Sequence, residues 1–348
     1  MMGRRYRTGA GRSVTGRRYA AAAVCLCGLV LCLSGCRAGL QTGRTPEFVF
    51  TYAENQTGDY PTTAGARYFA DRVKEESGGR IEILVYANAE LGDENAAVEQ
   101  VRFGGIDFAR ASLSSLNACS PKAIVLQMPY LYKDAEHMWR VLDGEIGAEI
   151  MASFEGSGVV GLSWYDAAAR SFYSSKQPIR DITDLQGMKI RVQDADYMED
   201  MVRCLGAEPV PIVYSGVYSA LETGAVDAAE NNFPSYETMG HHLVAPYYTL
   251  DEHMRIPEMQ IVSQVTWDRL SEEDRAMIRR CAEESARYER ELWEKRNREA
   301  RDKVVREGAA VIVLDEEQKE AFRRATESLY EKYCGTQTEL VEKIRTLE

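Results

Sequence analysis

The sequence predicts an α/β protein with largely parallel sheets. Two observations carry that prediction. Apolar, β-branched runs of four to seven residues alternate along the chain with stretches of helical period. Glycine- or proline-containing turns separate many of them. A third observation bounds it: 348 residues without an internal repeat or low-complexity segment suit two domains of ordinary size.

The first strand is Phe48–Tyr52, and Pro61 opens a helix. Its Ala66, Phe69, Ala70 and Val73 recur at i, i+3, i+4 and i+7, one face of a helix. Gly78-Gly79 stops it, and Ile81–Tyr86 is apolar and β-branched enough for a buried strand. The cycle repeats as a helix from about Asp93 to Phe103 and a strand at Ile106–Ala109. Further strands are expected at Val159–Tyr165, Lys189–Val192, Val210–Val213, Gln260–Gln264 and Ala310–Leu314. From Ser271 to Arg306 there is no Pro or Gly, and Glu, Arg and Ala dominate. Ser271 with Asp274 makes a capping-box-like start, and Gly308 ends the run. The pairs Glu291/Lys295 and Glu294/Arg298 support its exposed face. Unbroken, this helix would be roughly 50 Å long, more than one small domain's diameter. It is either two helices with a break or a strut crossing two lobes.

The N-terminus has its own logic. Arg4, Arg5, Arg7, Arg12, Arg17 and Arg18 form a basic stretch with no acid, followed by an apolar run from Ala20 to Leu33. That run is short for a membrane span and right for a signal sequence. It ends in Leu33-Ser34-Gly35-Cys36, which matches the lipobox of bacterial lipoproteins. Residues 1–35 are therefore expected to be a signal peptide, Cys36 a lipidated anchor, and residues 36–46 a tether. Removing 1–35 takes away six arginines and no acids, so the net charge of -12 becomes -18. So acidic a body argues against nucleic acid as a partner. Cys119, Cys204, Cys281 and Cys334 lack CxxC spacing and lie far apart, so no metal site is expected. In an oxidising compartment they could form two disulfides, or they could be buried free thiols.

Nothing in the chain nominates a catalytic apparatus. There are four histidines, and no HExxH, GxSxG, P-loop or GxGxxG sequence. The informative region is Ala167–Asn232. Gly187 makes a turn into the strand Lys189-Ile-Arg-Val192, which carries an arginine inside an apolar run. An unpaired buried guanidinium is costly, so Arg191 needs either an internal carboxylate or a ligand.

Leu205-Gly-Ala-Glu-Pro-Val-Pro-Ile-Val-Tyr-Ser215, followed by Val226-Asp-Ala-Ala-Glu-Asn-Asn232, completes a run that resembles the substrate-binding proteins of TRAP transporters, the DctP family. Ala89-Glu-Leu-Gly-Asp93, Phe103-Gly-Gly-Ile-Asp-Phe108, Met128-Pro-Tyr-Leu-Tyr132 and Arg170-Ser-Phe-Tyr173 look like further family landmarks, and the resemblance spans about 46–335. It implies a two-lobed flytrap that closes on an organic anion, is braced by a long helix, needs no cofactor, and delivers to a membrane permease. It puts the ligand carboxylate on Arg191, a second arginine at Arg170, an asparagine at Asn231, a lining aromatic at Tyr214, and Glu94 in the same set. A planar guanidinium suits a carboxylate because it donates two parallel bonds. The implied lobes are 47–167 with about 257–296, and 168–256 with about 297–335, leaving 336–348 as a C-terminal tail.

Three positions depart from the family pattern: Gly216 for a glutamate, Asn232 for a proline, and Asn95 where an arginine is frequent. The missing cation argues against dianionic ligands. Asp166, Arg110 and Glu54 resemble the subgroup that binds uronic and related sugar acids, since carboxylates accept bonds from hydroxyl groups. Ordinary capping or surface charge explains Glu54 and Asp166 equally well, and Arg110 could be a structural partner of either. A ligand-sensing module for a signalling partner, or more remotely a lipid-anchored hydrolase, are the other readings of an exported domain of this kind.

Overall fold

The structure is a computed structural model that describes residues 45–348. The expected signal peptide, Cys36 and nearly all of the tether lie outside the described residues. No described helix is long and apolar enough to cross a membrane.

Among the described residues, twelve strands form two sheets. The first holds β1 (Phe48–Ala53), β2 (Ile81–Tyr86), β3 (Phe108–Ser112), β4 (Val159–Tyr165) and β11 (Glu258–Ser263), in the order β2-β1-β3-β11-β4. The second holds β5 (Ala169–Ser174), β6 (Lys189–Val192), β7 (Glu208–Pro211), β8 (Ala228–Asn231), β9 (Tyr247–Leu250) and β12 (Ala310–Val313), in the order β12-β9-β5-β8-β6-β7. The short β10 (Met254–Arg255) adds to β5.

Pairing is mixed rather than largely parallel. β1 runs parallel to β2 and β3, and β6 parallel to β7 and β8. β11 is antiparallel to β3 and β4, and β5 to β8 and β9. The physical reason lies in the connections. Strand–helix–strand cycles return the chain in the same direction, whereas β5 and β11 enter directly from the other sheet across two or three residues.

Local chemistry explains where element ends differ from expectation. β3 begins at Phe108, because the Asp107 carboxylate accepts the Thr51 N–H at 2.9 Å in place of a ladder bond. β7 starts at Glu208 and tolerates Pro209 and Pro211 because it is an edge strand. Gly187, at φ 73°, makes the expected turn into β6.

The helix Glu272–Arg306 is unbroken, and Ser271 caps it by accepting the Asp274 N–H. Its first half gives Met277, Ile278, Cys281 and Ala282 to a core shared with Phe50, Phe69 and Ile81. Its second half gives Ala300 and Val304 to a different core with Tyr173, Ala229 and Tyr248. One element thus braces both sheets. The helix Pro61–Glu76 lies against it at Gly65, where a Cβ would come within 2.9 Å of Tyr165 Oη and 3.0 Å of Glu289 Cβ. Ala66, Phe69, Ala70 and Val73 are all buried, as their spacing requires. The C-terminal tail carries a helix, Thr338–Thr346, that buries Val341 and Ile344. Cys119, Cys204, Cys281 and Cys334 are free thiols.

Candidate functional site

A cleft opens where the carboxyl ends of parallel strands from both sheets meet, the usual place for a ligand in such sheets. Asn55 and Gln56 follow β1, Gln193 follows β6, Tyr214 follows β7, and Asn231 ends β8. The inner chamber, of about 30 Å³, is lined by Arg110, Arg170, Arg191, Tyr214, Asn231 and Glu258 among others. It leads into an outer chamber of about 190 Å³ with a more apolar wall that includes Ile212, Val213 and Met239. Asn55, Glu94, Arg191, Gln193 and Tyr214 line both.

The three buried arginines differ in one decisive respect. Arg110 pairs with Glu54 through Nε at 3.1 Å and through Nη2, and also bonds Asn55. Arg170 holds Glu230 bidentately, Nε at 2.5 Å and Nη2 at 2.7 Å, while its Nη1 reaches Asn231 Oδ1 at 3.3 Å. Glu230 also faces His253 at 3.6 Å, and His253 Nδ1 lies 2.6 Å from Asp251. Burial works against the Glu230 charge, but Arg170 and His253 outweigh it and hold its pKa down at about 2.

Arg191 is different. Its Nε donates to the Ile212 carbonyl at 2.8 Å, and neither Nη has a partner among the described residues. No carboxylate pairs with it there, and burial depresses its pKa, although it keeps only 2 % of its surface exposed. It is a charged fork stored in the cavity wall, almost fully desolvated and without an anion among the described residues.

Other groups complete the chamber. Asn231 Oδ1 accepts from Arg170 and from the Asn232 N–H at 2.8 Å, while its amide NH₂ has no hydrogen-bond partner among the described residues and the residue lines the cavity. The Tyr214 hydroxyl is buried beside Ser235 and Gln56 but makes no well-formed hydrogen bond among the described residues, and burial pushes its pKa up to about 12. Glu94 accepts from the Ser112 N–H and, at 2.7 Å, from Asn55, so one face of it is structural and another meets the cleft.

The structure does not bring Glu54 or Asp166 to the inner or outer chamber. The Glu54 side chain is fully buried against Arg110 and accepts the Gln56 N–H at 2.9 Å. Arg110 is thus the structural partner that one of the sequence readings made it, while still lining the cavity. Asp166 sits at the crossing from β4 to β5, where it accepts the Ala168 N–H at 2.7 Å and the Trp139 indole at 3.3 Å. It secures a turn in which Ala168 takes φ 51°, outside the comfortable range of an L-residue.

Sequence reasoning did not name Asn55, Gln56, Gln193 or Glu258 as lining residues. Two signals could have found them. Gln193 follows Arg191 by two, on the same face of one extended segment, and Asn55-Gln56 is the first polar pair past a strand's carboxyl end. The departures at other positions also acquire reasons. Asn232 caps the helix Phe233–Thr238, and its amide donates to the Ala167 carbonyl at 2.8 Å. A proline would supply neither bond.

Residues 52–336 match the bacterial extracellular solute-binding proteins of family 7. A solute-binding protein of Chromohalobacter salexigens is 37 % identical over 281 residues, covering 81 % of this chain and 83 % of the relative. A TRAP periplasmic solute-binding protein of Bradyrhizobium sp. BTAi1, in complex with α/β-D-galacturonate, is 39 % identical and superimposes with a TM-score of 0.83, covering 86 % of this chain and 99 % of the other. One from Roseobacter denitrificans with bound β-D-glucuronate is 37 % identical with a TM-score of 0.83, covering 86 % and 100 %.

Proposed function

The chain belongs to the bacterial extracellular solute-binding proteins of family 7, as a solute-binding protein of TRAP transporters, and from that premise we propose that its ligand is a uronate. The observation that carries this reading is the unpaired Arg191 fork inside a chamber otherwise rich in hydrogen-bonding groups. A monoanionic sugar acid satisfies both features at once. Its carboxylate takes the two free Nη groups of Arg191 in a charge-assisted bidentate pair, with the Asn231 amide and Arg170 Nη1 alongside. Its hydroxyls then meet Gln193, Tyr214, Asn55 and Glu94. A second ligand carboxylate would find Arg110 and Arg170 already neutralised by Glu54 and Glu230. The relatives crystallised with galacturonate and glucuronate support the same class.

In this reading the two sheets belong to lobes divided as the sequence suggests, at the Asp166–Ala168 and Ile256–Pro257 crossings and along the long helix. Binding closes them on the ligand, and the loaded receptor delivers it to the membrane permease. Residues 1–35 are removed on export, and Cys36 carries a lipid that holds the receptor at the membrane through the 36–46 tether.

The test is calorimetry and thermal shift of the exported form with Cys36 removed, against D-glucuronate, D-galacturonate, an aldonate, succinate and a keto acid. A uronate at a thousand times its Kd should stabilise by about 4 kcal/mol. A larger shift with succinate would overturn the uronate assignment. For the anchor, Cys36→Ala in the native cell should move the protein out of the membrane fraction; unchanged membrane association would refute lipidation.

A further inference from the structure

Glu258, at the start of β11, is a cavity group that touches a charge without forming a hydrogen bond to it. Its side chain keeps 13 % of its surface, directed into the inner chamber. Its Oε2 lies 2.9 Å from Arg110 Nη1, yet the line is wrong for a bond, so both atoms are left without a hydrogen-bond partner among the described residues. The same guanidinium also faces Glu54 directly and Glu94 at 3.7 Å. The Arg110 charge therefore stands among three carboxyl groups, two of which, Glu94 and Glu258, line the space that must still admit an anion. Three ionised carboxylates would outnumber the Arg110 charge by two, and the unpaired Arg191 of the same chamber is the cation that the ligand itself takes, so one retained proton relieves the excess in part.

We propose that Glu258 is a ligand-binding residue in its protonated form, and that the receptor holds this proton together with the anionic sugar. The proposal rests on the uronate reading for the identity of the ligand. A carboxylic acid O–H donates to a ring or hydroxyl oxygen of the sugar, while the carbonyl oxygen of the same group accepts a ligand hydroxyl. An ionised Glu258 could only accept, and it would repel the ligand's carboxylate.

The surroundings agree. Arg110 on β3 and Arg170 on β5 favour ionisation, whereas Glu94 at the start of the Glu94–Phe103 helix and Glu54 after β1 oppose it. Arg191 on β6 and Tyr214 after β7 line the same chamber, Tyr165 is the register partner of Glu258 on β4, and Tyr52 on β1, Tyr60 ahead of the Pro61–Glu76 helix and Glu289 on the long helix lie within electrostatic reach. Burial is the largest influence, and with the two glutamates it outweighs the arginines and lifts Glu258 to about 8. An arriving anion lifts it further, so binding above that pH draws in a proton.

The experiment is calorimetry with D-glucuronate and D-galacturonate between pH 6 and 9, in two buffers of different ionisation enthalpy. The expected result is a constant Kd up to about pH 7, then a weakening that approaches tenfold per pH unit, with proton uptake rising toward about one per ligand. Glu258→Gln keeps an N–H donor in place and should show a flat Kd and no uptake. A wild-type Kd that is flat to pH 9 with no proton uptake overturns the proposal, as does a folded E258Q that retains the slope. If E258Q fails to fold, the wild-type proton count decides alone. If neither uronate binds, the ligand reading falls, and carbon NMR of the glutamate carboxyls in the free protein decides the protonation. A carboxyl that titrates between about pH 7 and 9 and is missing from E258Q supports it, and none there overturns it.

Discussion

Replacing Arg191 by methionine separates a ligand clamp from a structural charge. The side chain makes one protein hydrogen bond, Nε to the Ile212 carbonyl at 2.8 Å, and no carboxylate among the described residues depends on it. Methionine fills similar volume, so the free protein loses about 1–2 kcal/mol for the orphaned carbonyl and recovers part of that by no longer burying an unpaired charge. Its melting temperature should move by only a few degrees, at about 2–4 °C per kcal/mol for a domain of this size. The ligand loses far more. Two hydrogen bonds to a charged partner are worth about 1.5–3 kcal/mol each, so the loss is about 3–6 kcal/mol, a weakening of Kd by roughly 10² to 10⁴. Arg170→Met is the contrast. It strands Glu230, whose carboxylate Arg170 holds bidentately, and should cost about 3–5 kcal/mol in the free protein. Melting curves and glucuronate calorimetry on both variants decide. If Arg191→Met melts like Arg170→Met, or binds within threefold of the parent, the stored-fork argument is refuted.

Other outcomes follow from the same geometry. Tyr214→Phe deletes a hydroxyl that lies beside Ser235 and Gln56 without a well-formed hydrogen bond among the described residues, so stability should nearly hold while Kd weakens by about three- to tenfold, one neutral hydrogen bond, read by calorimetry. Burial opposes the His253 charge, but Asp251 and Glu230 carry its pKa up to about 9 from the ordinary 6.5. The folded state holds that proton more tightly, so the stability it contributes is full below about pH 6.5 and is lost as pH rises through 9, on the order of 3 kcal/mol. Denaturant unfolding of His253→Gln should show that slope flattened. His241 has the opposite sign: burial lowers its pKa to about 3, so its contribution is present above 6.5 and falls away toward acid, and His241→Gln should reduce the stability lost between pH 6.5 and 4. Asn232→Ala removes a helix cap and the bond to Ala167, which should lower unfolding free energy by about 1–2 kcal/mol.

Much of the first sheet was legible from periodicity. Phe48, Ile81 and Val159 each begin an apolar run whose alternative, exposure, is expensive, and such runs become strands wherever they pack. The long helix was legible for the complementary reason: without Pro or Gly and with a serine cap, nothing in it favours a break. The second sheet was harder. β5 and β8 lie at its centre, yet they carry Arg170, Glu230 and Asn231, and those polar residues interrupt the apolar signal. The site itself hid the strands that build it, as expected where function overrides local rules.

By itself, the sequence determined that Arg191 would be a cation inside a short strand, because Ile190 and Val192 flank it just after the Gly187 turn. Which arginine would stay free was decided only by tertiary structure. Arg110 meets Glu54 across 56 positions of chain, and Arg170 meets Glu230 across 60. Charge pairing acts through a few ångströms of space and is blind to sequence separation. Only once both sheets are assembled do two of the three guanidinium groups find their carboxylates, leaving the third without one among the described residues.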